Sequence, residues 1–298
     1  MTVSTTKSKY FPYLALVIGV LALSLSAMFV RWATAPGPVT AFYRMAFAAL
    51  LLAPFFALNC YRKAVANWRV LIFPVIAGVA TSGDLSLWNT SLSYTTASNA
   101  TLIGNSAPLW VALAGLFFFG ARLKRNFWLG LALAMSGGLF IMGTDFLLHP
   151  RLGIGDLMAL GTSFFYAGYY LATERGRRTL DAPTYSWMVA LTAAITLLFI
   201  NILLGNPLTG YTTQTWLAFL GAAIVSQVIG YICLSYALGH LPAHVVSPTM
   251  IAQPVITTLL AIPLLGEVPF PLQLVGGVMA LAGIYLVNQS HHEIPEVI

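Results

Sequence analysis

Charge is scarce in this chain: 7% of its 298 residues are charged and 59% are hydrophobic. Soluble domains carry roughly 25% charged residues. So little charge cannot keep a folded surface in water, which excludes an ordinary soluble domain and points to a polytopic membrane protein. The mean hydropathy of +0.84 agrees. Acids are fewer than bases, and the net charge is +6. That excess does not indicate a nucleic-acid partner, because Lys and Arg in membrane proteins gather in cytoplasmic loops. Cysteine is nearly absent. Cys60 and Cys233 lie far apart, so neither a disulfide framework nor a metal motif follows. His240 and His244 have helical spacing, but Pro242 interrupts it and makes them loop residues, so no metal site is expected. A Walker lysine motif is also lacking. Driving energy must then come from a gradient, an exchange partner or another chain, and no cofactor is expected.

Long apolar runs are what the chain has in place of charge. Ten candidate spans fall near 12–33, 38–58, 70–92, 98–119, 127–145, 155–173, 184–204, 214–237, 244–265 and 271–289. The first follows Lys7 and Lys9 and precedes Ala33-Thr34-Ala35, a cleavage-like triplet. Its length of about 20 residues exceeds the apolar core of a signal peptide, so it reads as a span. Short connections predict antiparallel hairpins between sequential neighbours. With the N-terminus inside, eleven basic residues are cytoplasmic: Lys7, Lys9, Arg62, Lys63, Arg69, Arg122, Lys124, Arg125, Arg175, Arg177 and Arg178. Arg151 alone is external, and Arg31 and Arg44 fall within spans. This asymmetry places both termini in the cytoplasm; the expected setting is a bacterial-type inner membrane.

The chain also repeats itself. A shift of 146 puts Pro108 on Pro254, Ala97 on Ala243, Gly120 on Gly266, Gly130 on Gly276 and Gly137 on Gly283. A second pairing puts Pro38 on Pro183. Each half, 12–145 and 153–289, holds five spans. Five is odd, so the second half enters from the opposite side. The expected fold is an all-α integral membrane protein, ten transmembrane helices as two inverted five-helix repeats, the architecture common among secondary transporters. The bland alternative is a duplication kept for packing.

Several residues carry a family likeness. They are Pro38 and Arg44 in the second span, Tyr94, Ala97 and Pro108 in the hairpin from the third span to the fourth, Gly153 and Asp156 opening the second half, and Leu265-Gly266-Glu267 closing the ninth span. Both halves resemble the EamA-type unit of the drug/metabolite transporter superfamily, over about 14–145 and 153–288. The resemblance implies transport of small metabolites, often export of amino acids or their relatives. It also implies a cavity lined by spans one, three, four, six, eight and nine. One departure is Ala121, where the second half has the usual Glu267. In length and aromatic content the chain is also similar to aromatic amino-acid exporters of the YddG type.

Asp84 and Arg44 are the charges that need explaining. At 1.5 Å per residue both lie roughly 9–12 Å below the external surface. Intramembrane charges pair with each other or face water-filled cavities. Asp84 is therefore either a structural ion pair with Arg44, which gates or stabilises the outer half, or a cavity group for a substrate amine or a coupling proton. Arg31 reads as a snorkelling residue, or alternatively as an attractor of carboxylate. Aromatic residues are plentiful in and around the cavity spans, including Phe164, Phe165, Tyr170, Tyr94, Trp110 and Tyr236. Trp88, Tyr166, Tyr169 and Tyr231 are the candidates for holding an apolar, aromatic or ammonium-bearing cargo; the alternative for each is packing or an interfacial belt. Ser24, Asn89, Asn105, Gln227 and Gln253 are costly in hydrocarbon unless bonded. They either line a cavity or bridge helices. Asn105 and Gln253 precede Pro108 and Pro254, where a half-broken helix frees backbone groups. Gly153-Ile-Gly-Asp156 matches an intramembrane protease motif, but Asp156 suits a helix start.

The expected substrate-binding set is Ser24, Asp84, Trp88, Asn105, Tyr166, Tyr169, Gln227, Tyr231 and Gln253. The gating or ion-pair set is Arg44 with Asp84. The expected activity is export of amino acids, aromatic or hydrophobic ones favoured, by alternating access, and not enzymatic turnover. The implied partners are a small-molecule substrate and the lipid bilayer, with no nucleic acid; a monomer is compatible with the sequence, which does not set the oligomeric state. The alternatives are another cargo, such as a nucleobase, a drug-like cation or a sugar, and a membrane enzyme or sensor.

Overall fold

The computed structural model describes residues 10–62, 68–91, 93–94, 103–118, 120, 123–148, 153–265 and 271–292. Lys7, Lys9, Lys63, Ala97, Ala121, Arg122, Arg151, Gly266 and Glu267 lie outside them. Among the described residues every regular element is helical. In chain order they are α1 Phe11–Ser24, α2 Ser26–Trp32, α3 Gly37–Arg62, α4 Ile72–Ser91, α5 Ala107–Phe118, α6 Arg125–Leu148, α7 Ile154–Gly176, α8 Ala182–Leu203, α9 Thr213–Gly221, a π-helical stretch Ala222–Gly230, α10 Tyr231–Leu238, α11 Ala243–Thr249, α12 Ala252–Leu265 and α13 Pro271–His292. A 3₁₀ turn, Trp68–Leu71, leads into α4. Three rods are composite: α1 with α2, α9 through α10, and α11 with α12. The described helices thus form ten rods.

Among the described residues four stretches are long and apolar enough to cross a membrane: Phe11–Trp32, Gly37–Leu58, Ala182–Leu203 and Thr213–Leu238. Their starts are set locally. Asp181 Oδ1 accepts the Thr184 N–H at 2.9 Å, with Pro183 in the first turn of α8. Thr212 Oγ1 accepts the Thr215 N–H at 3.3 Å and opens α9. At the start of α7, Asp156 Oδ2 accepts the Gly153 N–H at 2.8 Å. Gly205 ends α8 in the left-handed region, at φ 65°, which glycine adopts without strain. Leu50, Phe55, Ile195, Phe199, Leu217 and Val278 are all more than half exposed, so the outer faces of the rods are apolar.

Packing runs mainly between the halves, not between sequential neighbours. The principal partner of α6 is α13, that of α4 is α7, and that of α3 is α8, while α1 lies on the π stretch and α10, and α5 lies on α7 and α11. This differs from the sequence expectation of hairpins. The small residues that permit close approach face the other repeat, so the tight contacts form there. The pattern survives exchange of the two halves: rod three on rod six becomes rod eight on rod one, and the pairs two–seven, four–nine and five–ten map onto themselves.

The α6–α13 contact gives the relative direction. A Cβ on Gly130 would lie 2.8 Å from the Gly283 carbonyl oxygen, and one on Gly137 would lie 2.6 Å from that of Gly276. Ascending α6 therefore means descending α13, and these repeat-related helices run antiparallel.

Candidate functional site

Helix irregularities converge at the centre. The first rod breaks at Leu25, between α1 and α2. The fourth breaks at Asn105–Ser106, just before α5, and the ninth at Met250–Ile251, between α11 and α12. The shift of 146 carries Asn105 onto Ile251, so the fourth and ninth rods break at equivalent positions. Pro108 and Pro254 sit in the first turns of α5 and α12, where a missing N–H costs no helical bond.

Side chains from one broken rod satisfy another. Thr257 Oγ1 donates to the Ser24 carbonyl at 3.1 Å. Ser24 Oγ donates to the Val20 carbonyl at 2.7 Å and lies 3.4 Å from the Gln253 carbonyl. Ser226, in the π stretch, donates to the Ala22 carbonyl at 3.3 Å. A π stretch widens the helix and often marks a functional site.

A cavity of ≈ 110 Å³ lies among these breaks. Ser24, Ser26 and Ala27 flank it from α1 and α2, Arg44 from α3, and Asp84, Leu85 and Trp88 from α4. Gly104 and Asn105 come from the break before α5, Thr162 and Tyr166 from α7, Tyr231 from α10, and Gln253 and Thr257 from α12. Of the expected binding set, Ser24, Asp84, Trp88, Asn105, Tyr166, Tyr231 and Gln253 thus share one wall system, together with Arg44.

Two expected residues lie elsewhere. Tyr169 is 2% exposed and stands behind Tyr231, ring centroids 5.3 Å apart, because the helical phase turns it away from the cavity face of Tyr166. Gln227 is also buried off the cavity, and its Oε1 accepts from Arg44 Nε at 3.0 Å. The direct ion pair expected between Arg44 and Asp84 is replaced by other contacts. Arg44 Nη1 donates to Ser26 Oγ at 2.7 Å, and the guanidinium carbon stands 5.8 Å from the centre of the Tyr231 ring. Among the described residues no hydrogen bond or ion pair joins the Asp84 carboxylate to Arg44. The reason is positional: Gln227 and Ser26 reach the guanidinium first.

Several other residues have structural places. Asn89 Nδ2 donates to the Gly37 carbonyl at 3.0 Å and ties α4 to α3. Trp110 Nε1 donates to Ser163 Oγ at 2.8 Å. Tyr94 and Phe164 are exposed, as is Arg31 in the last turn of α2. Asp156 opens α7 away from the cavity. Tyr236 packs at a tilt against His240, centroids 4.4 Å apart and planes at 37°. Among the described residues no group of three or more His, Cys, Asp or Glu is placed to hold a metal.

The sequence reading missed Ser26, Gly104, Thr162 and Thr257. Each had a signal. Thr162 lies one helical turn before Tyr166, Thr257 one turn after Gln253, and Ser26 just past the rod break beside Ser24. The i, i+4 rule extends a face by one turn in this way.

The model of the EamA-like transporter family matches this chain twice, over residues 10–143 and 153–289. An uncharacterized transporter of Archaeoglobus fulgidus is 26% identical over 85% of this chain and 88% of that protein. A probable terminal-alkyne amino-acid exporter of Streptantibioticus cattleyicolor is 27% identical over 65% of this chain and 64% of that protein. A probable amino-acid metabolite efflux pump of Salmonella typhimurium is 27% identical over 63% of this chain and 66% of that protein. One solved structure shares the fold, with a TM-score of 0.78 over 96% of this chain and 100% of its own, at 18% identity. With both halves matched and its outer faces apolar, the chain belongs to the EamA-like transporter family of multi-pass membrane proteins.

Proposed function

We propose that this protein is a ten-span secondary transporter of the cell inner membrane, with both termini cytoplasmic, that exports amino acids by alternating access. Aromatic and hydrophobic amino acids are the favoured cargo. The two halves, 12–145 and 153–289, act as inverted repeats that rock about the central cavity. The single observation that carries the reading is the meeting of equivalent helix breaks from both halves at one cavity, lined by Arg44, Asp84, Trp88, Tyr166 and Tyr231. The antiparallel pairing of α6 with α13 supports the inversion, since related helices of inverted halves point in opposite directions. The naming of the Streptantibioticus relative as a probable terminal-alkyne amino-acid exporter and of the Salmonella relative as a probable amino-acid metabolite efflux pump supports the cargo class. Carriage by one chain suffices, because the described cavity is lined within it.

A second reading is favoured by Asp84 beside three aromatic rings: a drug-like organic cation as cargo. One experiment separates the two. The protein is reconstituted into liposomes loaded with mixed amino acids, and efflux is followed with and without a proton gradient, then with an excess of organic cation. Selective efflux of aromatic or hydrophobic amino acids supports the first reading. Cation movement with no amino-acid flux replaces it with the second.

A further inference from the structure

Arg44 and Asp84 are both buried, at 2% and 6% exposure, and both line the central cavity. Buried charge is costly unless it is paired and hydrogen-bonded. Neither group is fully supplied. A guanidinium has five N–H donors. Arg44 uses Nε on Gln227 and Nη1 on Ser26, and its other donors have no partner among the described residues. The Asp84 carboxylate, acceptor-only when ionised, has neither a hydrogen bond nor an ion pair there. The protein has thus placed one cation and one anion on the same wall, with bonding capacity left on each, while keeping them from spending it on each other.

We propose that Arg44 and Asp84 divide the recognition of a zwitterion: Arg44 receives the α-carboxylate and Asp84 the α-ammonium of one amino acid. This deepens the proposed export function and rests on the reading of the cavity as the cargo site. The chemistry selects the whole head group. An organic cation satisfies Asp84 and leaves Arg44 short, and a carboxylic acid does the reverse. A zwitterion adds no net charge, so the cavity stays neutral when filled. Gln227 and Ser26 act as positioning residues: they fix the guanidinium plane so that its remaining edge faces the cavity. Leu23, Leu85, Trp88 and Tyr166 form the apolar walls on which the side chain rests, so discrimination among side chains is coarse there and discrimination at the head group is strong.

Three probes of nearly equal size test this: L-phenylalanine, phenethylamine, which lacks the carboxylate, and 3-phenylpropionate, which lacks the ammonium. Their affinities are measured calorimetrically on the purified full chain. The wild type is expected to bind phenylalanine at least tenfold more tightly than either half-ligand. Asp84→Asn is expected to lose at least tenfold for phenylalanine and for phenethylamine while leaving 3-phenylpropionate unchanged. Arg44→Gln is expected to give the opposite selectivity. If Arg44→Gln fails to fold for want of its bonds to Gln227 and Ser26, the wild-type ranking and Asp84→Asn still decide. Equal binding of phenethylamine and phenylalanine overturns the proposal, as does unaltered phenylalanine affinity in Asp84→Asn. Liposome efflux keeps the two levels apart. Amino-acid efflux without head-group discrimination leaves the export reading standing and sinks this one; no amino-acid binding or efflux at all sinks both.

Discussion

The pair α6–α13 and the pair α1–α12 are built on opposite plans. In α6–α13 both helices are unbroken, and glycines bring backbone against backbone. A Cβ on Gly137 would press on the Ala280 backbone, and one on Gly283 on that of Ala134. Around α1 and α12 the rods are broken and held by hydroxyls: Thr257 on the Ser24 carbonyl, and Ser24 beside that of Gln253. Regular helices satisfy their own backbones, so they can pack on shape alone. Broken ones leave groups that side chains must satisfy, and those side chains gather where the cavity is. The difference separates a scaffold from a site within one all-helical fold.

Four predictions strain that contrast, the largest effect first. Gly137→Leu forces bulk into the α6–α13 seam and is expected to cost about 3 kcal/mol, read as a fall in the detergent melting temperature. By contrast Gly104→Ala, whose Cβ meets Thr162 only at 3.4 Å, is expected to leave melting unchanged while reducing flux. Equal melting losses at the two glycines would abolish the distinction between scaffold and site. Gln227→Leu strands Arg44 Nε in a buried place; a loss of about 2 kcal/mol is expected, together with weaker cargo binding. A variant as stable as wild type would show that Gln227 does not position the guanidinium. Next, Thr257→Val removes the donor on the Ser24 carbonyl and is expected to cost about 1 kcal/mol. Thr196→Val is the control, because Thr196 Oγ1 only bonds back to its own helix, at Thr192. If chemical unfolding ranks the two threonines the other way round, the breaks are not held by hydroxyls. The smallest effect is at the basic end of α7. There Glu174 accepts the Ala243 N–H at 3.0 Å and meets Arg178 at 3.4 Å, a pair open to solvent. Glu174→Gln is expected to shift stability by less than about 0.5 kcal/mol, and a larger loss would place that end among the determinants of the fold.

The sequence carried some of this and concealed the rest for physical reasons. The offset of 146 was legible because Pro108, Pro254 and the glycines at 130, 137, 276 and 283 are residues whose backbone demands few others meet. That Arg44 and Asp84 are buried among protein side chains was legible from their place inside apolar runs. Their separate engagement was not. Arg44 is met by Gln227 from 183 residues away and by Ser26 from 18 away, and distance along the chain does not encode either contact. Tyr166 and Tyr169 differ by a rotation that a run of aromatics does not betray, because every face of that segment is aromatic. The hairpin expectation did not reach the principal pairings, although α3 and α4 do pack: short loops fix the direction of neighbours but not which face packs, and the small residues lay on the faces turned to the other half.

The α6–α13 seam has one further property. Gly130 and Gly276 are repeat equivalents, as are Gly137 and Gly283, and Ala134 and Ala280. Gly130 meets Gly283, Gly137 meets Gly276, and the Gly137–Ala280 contact mirrors that of Gly283 with Ala134. This is the geometry of an isologous interface, one patch set against its own copy across a two-fold axis. Here it is closed inside a single polypeptide. Covalent linkage makes the encounter intramolecular, at an effective concentration set by the chain and not by expression level. A contact of the kind a homodimer makes is in this way independent of dilution.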